Sequence, residues 1–125
     1  MFTAASQQKI WLCTRAVDMR KSFKGLIAQV RNQLKLEPQS GHYFVFVNQR
    51  KTQMKVLYFE PGGYCLWSKR LEAGRFHFEG RGSDRQALSW TELKLMIEGI
   101  DLSSLRRFKR FEKGENRSYG RAEML

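Results

Sequence analysis

The sequence predicts an α+β fold: an antiparallel sheet of three to four strands, one long amphipathic helix packed on it, a second short helix and a basic C-terminal tail. Apolar residues recur at helical spacing between positions 19 and 36. Three runs rich in aromatic and β-branched residues then follow between positions 43 and 69, which is typical of strands. With 125 residues, 42% of them hydrophobic, the chain has the size and composition of one globular domain.

The long helix is predicted over residues 19–36, after a short strand at residues 9–13. Asp18 is a suitable N-cap, and Glu37-Pro38 followed by Ser40-Gly41 ends the helical pattern. The predicted core-facing stripe consists of Phe23, Leu26, Ile27, Val30 and Leu34. Beside it, an arc of about 60° on the helical wheel contains only cations, namely Arg20, Lys24, Arg31 and Lys35, with Lys21 next to them.

The sheet is predicted from residues 43–47, 54–60 and 64–69 as an antiparallel meander, with residues 9–13 as a candidate fourth strand. The basic stretch "NQRKTQ" forms the first hairpin loop and "PGG" at 61–63 the second, tighter turn. Because the strands are apolar at successive positions, we expect both faces of the sheet to be covered, one of them by the helix.

A second helix is predicted over residues 91–98. Either Ser89 or Thr91 is suited to cap it, Glu92 lies in its first turn, and Gly99 ends it. The character of the chain changes at Ser103, where a short basic amphipathic piece leads into a polar segment containing glycine. We therefore divide the chain into a single α+β domain at 1–102 and a tail at 103–125 that is partly helical or disordered.

The composition points to a polyanionic partner. Lys and Arg number 23 against 12 Asp and Glu, giving a net charge of +11 and a pI near 10.1. No apolar run approaches the roughly 20 residues that span a bilayer, and the first residues lack the pattern of a signal peptide. Cys13 and Cys65 both lie within apolar runs, which is typical of buried thiols. We expect a cytoplasmic protein without a membrane partner.

Cations at the start of a helix are unfavourable, since the helix N-terminus already carries positive partial charge. Phosphate groups would relieve this repulsion, so we interpret the basic stripe as a candidate DNA-binding surface. A solvated basic face remains the alternative. A second cation cluster surrounds Gly74. The candidate DNA-binding residues are Arg20, Lys21, Lys24, Arg31, Lys35, Arg50, Lys51, Lys69, Arg70 and Arg75.

The sequence favours neither an enzyme nor a metal site. Its cysteines and histidines have no spacing typical of zinc ligands, and its three aspartates form no pattern that converges on a divalent ion. No phosphate-binding loop of the GxxxxGK[ST] type is present, and we expect no cofactor. Seven aromatic residues of the strands could stack on bases, although core packing is the favoured interpretation: Tyr43, Phe44, Phe46, Tyr58, Phe59, Tyr64 and Trp67.

Three stretches carry a family resemblance: "DMRKSFKGL" at 18–26, "KVLYFEPGGYCLWSKRLEAGRF" at 55–76 and "LMIEGIDL" at 95–102. Over roughly residues 9–102 the chain resembles the TnpB, or Orf-two-like, accessory proteins of insertion-sequence-66-type transposons. Two positions depart from the family pattern. Lys24 stands where acidic residues are common, and Leu102 where an aromatic residue is frequent.

The resemblance implies a role in bacterial DNA transposition and recombination, beside a separate DDE-type transposase of the same element, and it supplies no catalytic residues. Together with the segregated charge, it leads us to expect a non-catalytic accessory protein that binds DNA, most simply a duplex, and assists the transposase. The alternative is an adaptor that docks on the transposase, or on other proteins of the element, without direct DNA contact.

Overall fold

Five strands form one mixed sheet with a helix on each face. The structure, a computed structural model, describes residues 8–100. The predicted tail at 103–125 and the domain boundary at residue 102 lie outside these residues. Within them, the elements are β1 (Ile10–Cys13), α1 (Phe23–Gln29) continuing as a π-helical segment (Val30–Leu34), β2 (Tyr43–Val47), β3 (Gln53–Glu60), β4 (Gly63–Arg70), β5 (Arg85–Leu88) and α2 (Trp90–Ile97).

The strands lie in the order β4-β3-β2-β1-β5. The meander β2-β3-β4 is antiparallel, as predicted, whereas β1 and β2 are parallel, with Trp11 beside Phe44. The parallel pairing follows from the helix, which crosses between the two strands and returns the chain to the same end of the sheet. The predicted antiparallel sheet of three to four strands is therefore only partly confirmed: the meander and the candidate strand at residues 9–13 are present, but the sheet is mixed and has five strands. The fifth strand, β5, pairs antiparallel with β1 and was not predicted, because "RQAL" is short and half of its residues are polar.

The central strand β2 separates two apolar clusters, and all five of its residues are buried. Tyr43, Val45 and Val47 belong to the cluster that also contains α2 residues Leu93 and Met96. On the other face, Phe44 and Phe46 belong to a second cluster with Leu26 of α1 and with Val30 and Leu34 of the π-helical segment. The expectation that both faces are covered is confirmed, because strands buried on both sides carry apolar residues at successive positions.

The first helix is shorter than predicted. Its helical segment begins at Phe23 rather than at residue 19 and ends at Leu34 rather than at residue 36. Asp18 does not cap the helix. Its carboxylate accepts the Arg20 backbone N–H across 2.9 Å, and its carbonyl oxygen accepts the N–H of Lys21 across 3.1 Å, which forms a separate turn. The two cations therefore precede the helix, and only Lys24 lies in its first turn.

The end of this helix and the start of α2 are each determined by hydrogen bonds between residues that are close in sequence. Lys35 adopts a left-handed backbone with φ of 58°, and the N–H of Leu36 reaches back to the carbonyl oxygen of Val30 across 3.2 Å. The second helix begins one residue earlier than predicted and is capped by Ser89, whose hydroxyl accepts the N–H of Glu92 while the Glu92 carboxylate accepts the N–H of Ser89. No helix of residues 8–100 is long and apolar enough to cross a bilayer.

Candidate nucleic-acid interface

One end of the sheet collects several chain segments that carry exposed cations. Strands β1, β2 and β4 end there, and β3 and β5 begin there, since Gln53 pairs with Arg70 and Cys13 with Arg85. We call this the carboxyl end, after the two parallel strands that end at it. It consists of the β1–α1 connection at 14–22, the β2–β3 loop at 48–52, the last residue of β4 and the residues before β5.

A cleft of about 610 Å³ opens at the carboxyl end. Its cationic side chains come from two different elements, because Arg50 lies in the β2–β3 loop and Arg70 ends β4, and both residues are exposed. The remaining lining residues come from the β1–α1 connection, the loop and β3, and these are Ala16, Val17, Asp18, Met19, Asn48, Gln49, Thr52 and Gln53. The polar lining offers hydrogen-bond donors to an anion.

Asp18 is the one acidic residue that lines this cleft, and its charge is already paired. The Arg20 guanidinium donates to both carboxylate oxygens, with the shortest contact at 2.6 Å. This side-chain hydrogen bond, followed by the backbone hydrogen bond from Arg20, lowers the pKa of Asp18 to about 2. The carboxylate is therefore ionised at neutral pH, and its negative charge is offset by Arg20 within the same turn.

The β2–β3 loop is held by its own hydrogen bonds. The Asn48 side-chain oxygen accepts the N–H groups of Thr52 across 2.8 Å and Gln53 across 3.1 Å. Lys51 adopts a left-handed backbone with φ of 60°, and its carbonyl oxygen accepts the N–H of the buried Phe76 across 2.7 Å. These contacts fix the loop that presents Arg50. They also place the exposed Arg75, the neighbour of Phe76, beside the same loop.

The β1–α1 connection is held by a lysine that the sequence analysis did not select. The Lys55 ammonium, which projects from β3, donates to the backbone oxygens of Met19 across 2.8 Å and Lys21 across 2.7 Å. In the sequence, Lys55 lies inside a predicted strand, and no local pattern marks it as a contact of another segment. The structure gives it a positioning role, because it ties the connection that carries Arg20 and Lys21 to the sheet.

The structure brings six of the ten candidate DNA-binding residues to the carboxyl end or beside it. These are Arg20, Lys21, Arg50, Lys51, Arg70 and Arg75. Lys24 follows in the first turn of α1, whereas Arg31 and Lys35 lie towards the far end of the helical segment. Lys69 lies on the face of the sheet that α2 covers. Its ammonium donates to the Ile97 carbonyl oxygen at the end of α2 across 3.0 Å.

Arg15 adds a further cation at the carboxyl end. Its guanidinium contacts the carboxylate of Asp84 across 2.9 Å, and the same carboxylate accepts a hydrogen bond from the Gln33 amide across 3.2 Å. The Gln33 hydrogen bond and then the Arg15 hydrogen bond lower the pKa of Asp84. Arg15 is the one charged residue between Lys9 and Asp18, so no charge pattern marked it. Arg85 instead donates to the Leu34 carbonyl oxygen across 3.1 Å and stabilises the helix end.

The aromatic residues of the sheet divide into two groups. Tyr43, Phe44, Phe46 and Tyr58 are buried, which confirms core packing for them. Phe59 and Tyr64 are half-buried and form an edge-to-face pair with ring centroids 4.9 Å apart. Trp67 is also half-buried, and it packs against the cluster under α2.

The thiols and histidines form no reactive group. Within residues 8–100, no cluster of three or more His, Cys, Asp or Glu side chains is arranged to hold a metal ion. Burial raises the pKa of Cys13, and it also raises the pKa of Cys65, whose thiol donates to the Glu60 carboxylate across 3.4 Å. Both thiols are thus shifted away from the thiolate form that nucleophilic chemistry needs.

Comparison with known proteins points to a single family. A family model described as "IS66 Orf2 like protein" matches residues 8–107. The chain is similar to two proteins of Sinorhizobium fredii that both carry the name "uncharacterized protein": y4hO, 34% identical over 101 residues, and y4jC, 31% identical over 99 residues. These matches cover 81% and 79% of this chain, and 88% and 85% of the two relatives. No solved structure matches the chain.

Proposed function

Because the chain belongs to the IS66 Orf2-like family, we propose that it is a non-catalytic accessory protein of DNA transposition that binds DNA with the cations of its carboxyl end. A separate transposase of the same element performs the chemistry, and this chain holds DNA for it. Duplex DNA is the expected main ligand, since its regularly spaced phosphates suit several separate cations.

The observation that carries the proposal is the convergence of cations from two distant segments on one cleft, with a third cationic segment beside it. Arg50 of the β2–β3 loop and Arg70 at the end of β4 line the cleft, whereas Arg20 and Lys21 follow the residues of the β1–α1 connection that line it. Arg20 already offsets the single acid of the cleft, so the added cations are not cancelled locally. Lys and Arg side chains that contact phosphates contribute affinity that is independent of base sequence and depends on salt.

The anchoring of the cation-bearing segments further supports the proposal. The Asn48 side chain fixes the loop that presents Arg50, and Lys55 fixes the connection that presents Arg20 and Lys21. A charged side chain on a fixed backbone loses less conformational entropy on binding than one on a mobile loop. The carboxyl end therefore supports phosphate contacts better than a solvated charge stripe would.

A second candidate function is an adaptor that docks on the transposase without contacting DNA. The feature that favours it is β4, which ends the sheet and carries half-buried apolar side chains, among them Tyr64 and Leu66. An outer strand of this kind can pair with a strand of another protein, which is a common mode of protein recognition.

Two double variants of equal net charge test the DNA-binding proposal. Arg50→Ala/Arg70→Ala removes two cations of the cleft, whereas Lys9→Ala/Lys94→Ala removes two exposed cations elsewhere. DNA affinity is measured against salt by fluorescence anisotropy, with element-end and scrambled duplexes. We expect the first variant to lower the slope of log affinity against log salt by about 1.8 on duplex DNA, about 0.9 for each phosphate contact, and the second to leave it unchanged.

Two outcomes would contradict the proposal. One is a folded Arg50→Ala/Arg70→Ala protein with the wild-type slope, and the other is an equal loss in both double variants, which would show only a net-charge effect. The adaptor function predicts that both variants bind the transposase normally, while a charged residue at Leu66 abolishes that binding. Equal affinity for element-end and scrambled duplexes would show that the binding is electrostatic and independent of sequence.

A further inference from the structure

Phe23 is exposed although the sequence places it on the apolar stripe of the helix. Its exposed fraction is 44%, whereas Leu26 and Val30 on the same stripe are fully buried. Apart from Ile100, the last of the described residues, it is the one large apolar side chain of residues 8–100 that is exposed. An aromatic ring in water costs free energy that a binding partner can recover.

The surroundings of Phe23 are cationic. Arg20, Lys21 and Lys24 lie within three residues of it in the chain, all are exposed, and no acidic residue occupies the first turn of α1. The nearest acid in sequence, Asp18, is paired with Arg20. A protein partner with an apolar surface would have to bury these charges, whereas a nucleic-acid strand would neutralise them with phosphates while it offers flat bases to the ring.

The ring lies at the first residue of the helical segment. At about 100° per residue, Phe23 falls inside the arc that Leu26, Ile27 and Val30 define, so the helical wheel alone would place it over the sheet. Its exposed fraction of 44% shows that the covering residues do not extend to this end of the helix. The half-buried Ile27 lies one turn further along the same arc.

The backbone that carries Phe23 is held in place by hydrogen bonds. Lys55 holds the Met19 and Lys21 carbonyl oxygens at 2.8 and 2.7 Å, and the Leu26 N–H bonds the Ser22 carbonyl oxygen at 2.9 Å, closing the first helical turn around Phe23. A stacking platform works best when it is held before the base arrives, because less entropy is then lost on binding.

We propose that Phe23 stacks on an unpaired base of single-stranded DNA that continues from the duplex held at the carboxyl end, with Lys21 and Lys24 on the phosphates of that strand. This inference rests on the proposed DNA-binding function and adds to it a preference for DNA with a single-stranded extension. Stacking of one base on an aromatic side chain corresponds to about a tenfold gain in affinity.

The test compares a blunt duplex with the same duplex carrying a single-stranded overhang, both titrated with the full chain by fluorescence anisotropy. The variants are Phe23→Leu, which keeps an apolar side chain without a ring, and Phe23→Tyr, which keeps the ring. We expect wild type and Phe23→Tyr to bind the overhang duplex about tenfold more tightly than the blunt duplex. Phe23→Leu should bind both equally, with its affinity for the blunt duplex unchanged.

Each other result has a definite meaning. One such result is equal binding of both duplexes by wild type, with a slope of log affinity against log salt that falls when Arg50 and Arg70 are replaced. In that case the Phe23 inference is wrong and the proposed function survives. If Phe23→Leu keeps the preference, the ring does not stack on a base. If Phe23→Leu binds DNA normally but loses the transposase, Phe23 is a protein contact and the inference is also wrong. If wild type binds neither duplex, the proposed function itself fails.

Discussion

The ammonium group of Lys55 on β3 donates a hydrogen bond to the backbone carbonyl oxygen of Lys21 across 2.7 Å. A second bond from the same ammonium reaches the carbonyl oxygen of Met19 across 2.8 Å. Lys55 and Lys21 carry the same charge, yet their segments lie side by side. This is possible because the Lys55 ammonium donates its hydrogen bonds to backbone oxygens of the neighbouring segment. The contact links the sheet to the connection that carries the cations of the carboxyl end.

Replacement of Lys55 by Met should destabilise the protein by about 1–3 kcal/mol, since carbonyl oxygens that lose their partner in a partly buried position pay a desolvation cost. Amide hydrogen exchange should become faster in residues 19–25. Lys24→Met is the matched control, because it makes the same change at an exposed position. Equal unfolding free energies for the two variants, measured in denaturant, would contradict the positioning role of Lys55.

Phe23 and Phe46 should respond very differently to truncation. The expectation that Phe23 is a core residue is wrong, because its exposed fraction is 44%, whereas that of Phe46 is 0%. Phe23→Ala should lower the free energy of unfolding by about 1 kcal/mol, since half-exposed surface gains little from folding. Phe46→Ala should cost about 3–5 kcal/mol through lost burial and a cavity. Denaturant unfolding of both variants measures the difference, and similar costs would contradict the packing described above.

Lys35→Gly should stabilise the protein although it removes a side chain. Lys35 adopts φ of 58° at the helix end, a conformation that costs about 1 kcal/mol for a residue with a Cβ and little for glycine. Lys94→Gly in the interior of α2 removes the same charge but should destabilise by about 1 kcal/mol. Opposite shifts in thermal midpoint are the expected result. A destabilised Lys35→Gly protein would mean that the lysine side chain contributes more than its backbone costs.

Asp18 should titrate near pH 2 in the folded protein. The hydrogen bond from the Arg20 side chain, with the backbone hydrogen bond, lowers its pKa from 3.8 to about 2. Because the folded pKa lies below the unfolded one, the stability that this carboxylate adds is present above pH 3.8 and is lost as the pH falls towards 2. An NMR titration of the carboxyl carbon measures the midpoint directly.

The same titration identifies which cation lowers the pKa of Asp18. Arg20→Ala should return the Asp18 midpoint towards 3.8, whereas Lys24→Ala, which removes a cation that does not contact Asp18, should leave it near 2. An unchanged midpoint in Arg20→Ala would show that the guanidinium is not the partner that keeps Asp18 ionised.

Local signals in the sequence were sufficient for several elements. The meander β2-β3-β4 followed from dense β-branched and aromatic runs, and its second turn from Pro61 and Gly62, whose positive φ of 100° glycine adopts without strain. The cap of α2 followed from Ser89 and Glu92 at the spacing of a capping box. In each case the residues that determine the structure are close to one another in the sequence.

Other features depended on contacts between distant residues. Phe23 matches the periodicity of the helix stripe, yet the stripe cannot show where the covering sheet ends. Strand β5 exists because β1 offers its free edge to "RQAL", whose own sequence is a weak strand former. The start of α1 depends on Asp18 and Lys55, which draw the backbone of residues 18–21 into a separate turn.

The sequence by itself therefore determined the strongly basic charge, the family, the α+β class and the elements whose signals are local. Only the tertiary structure decided which cations share a surface. Arg20, Arg50 and Arg70 lie in three separate segments, and nothing in their spacing relates them. They meet because β1 and β2 are parallel and the meander reverses twice, so the ends of three strands coincide. Strand pairing between distant residues sets that geometry, and pairing is a property of the whole sheet.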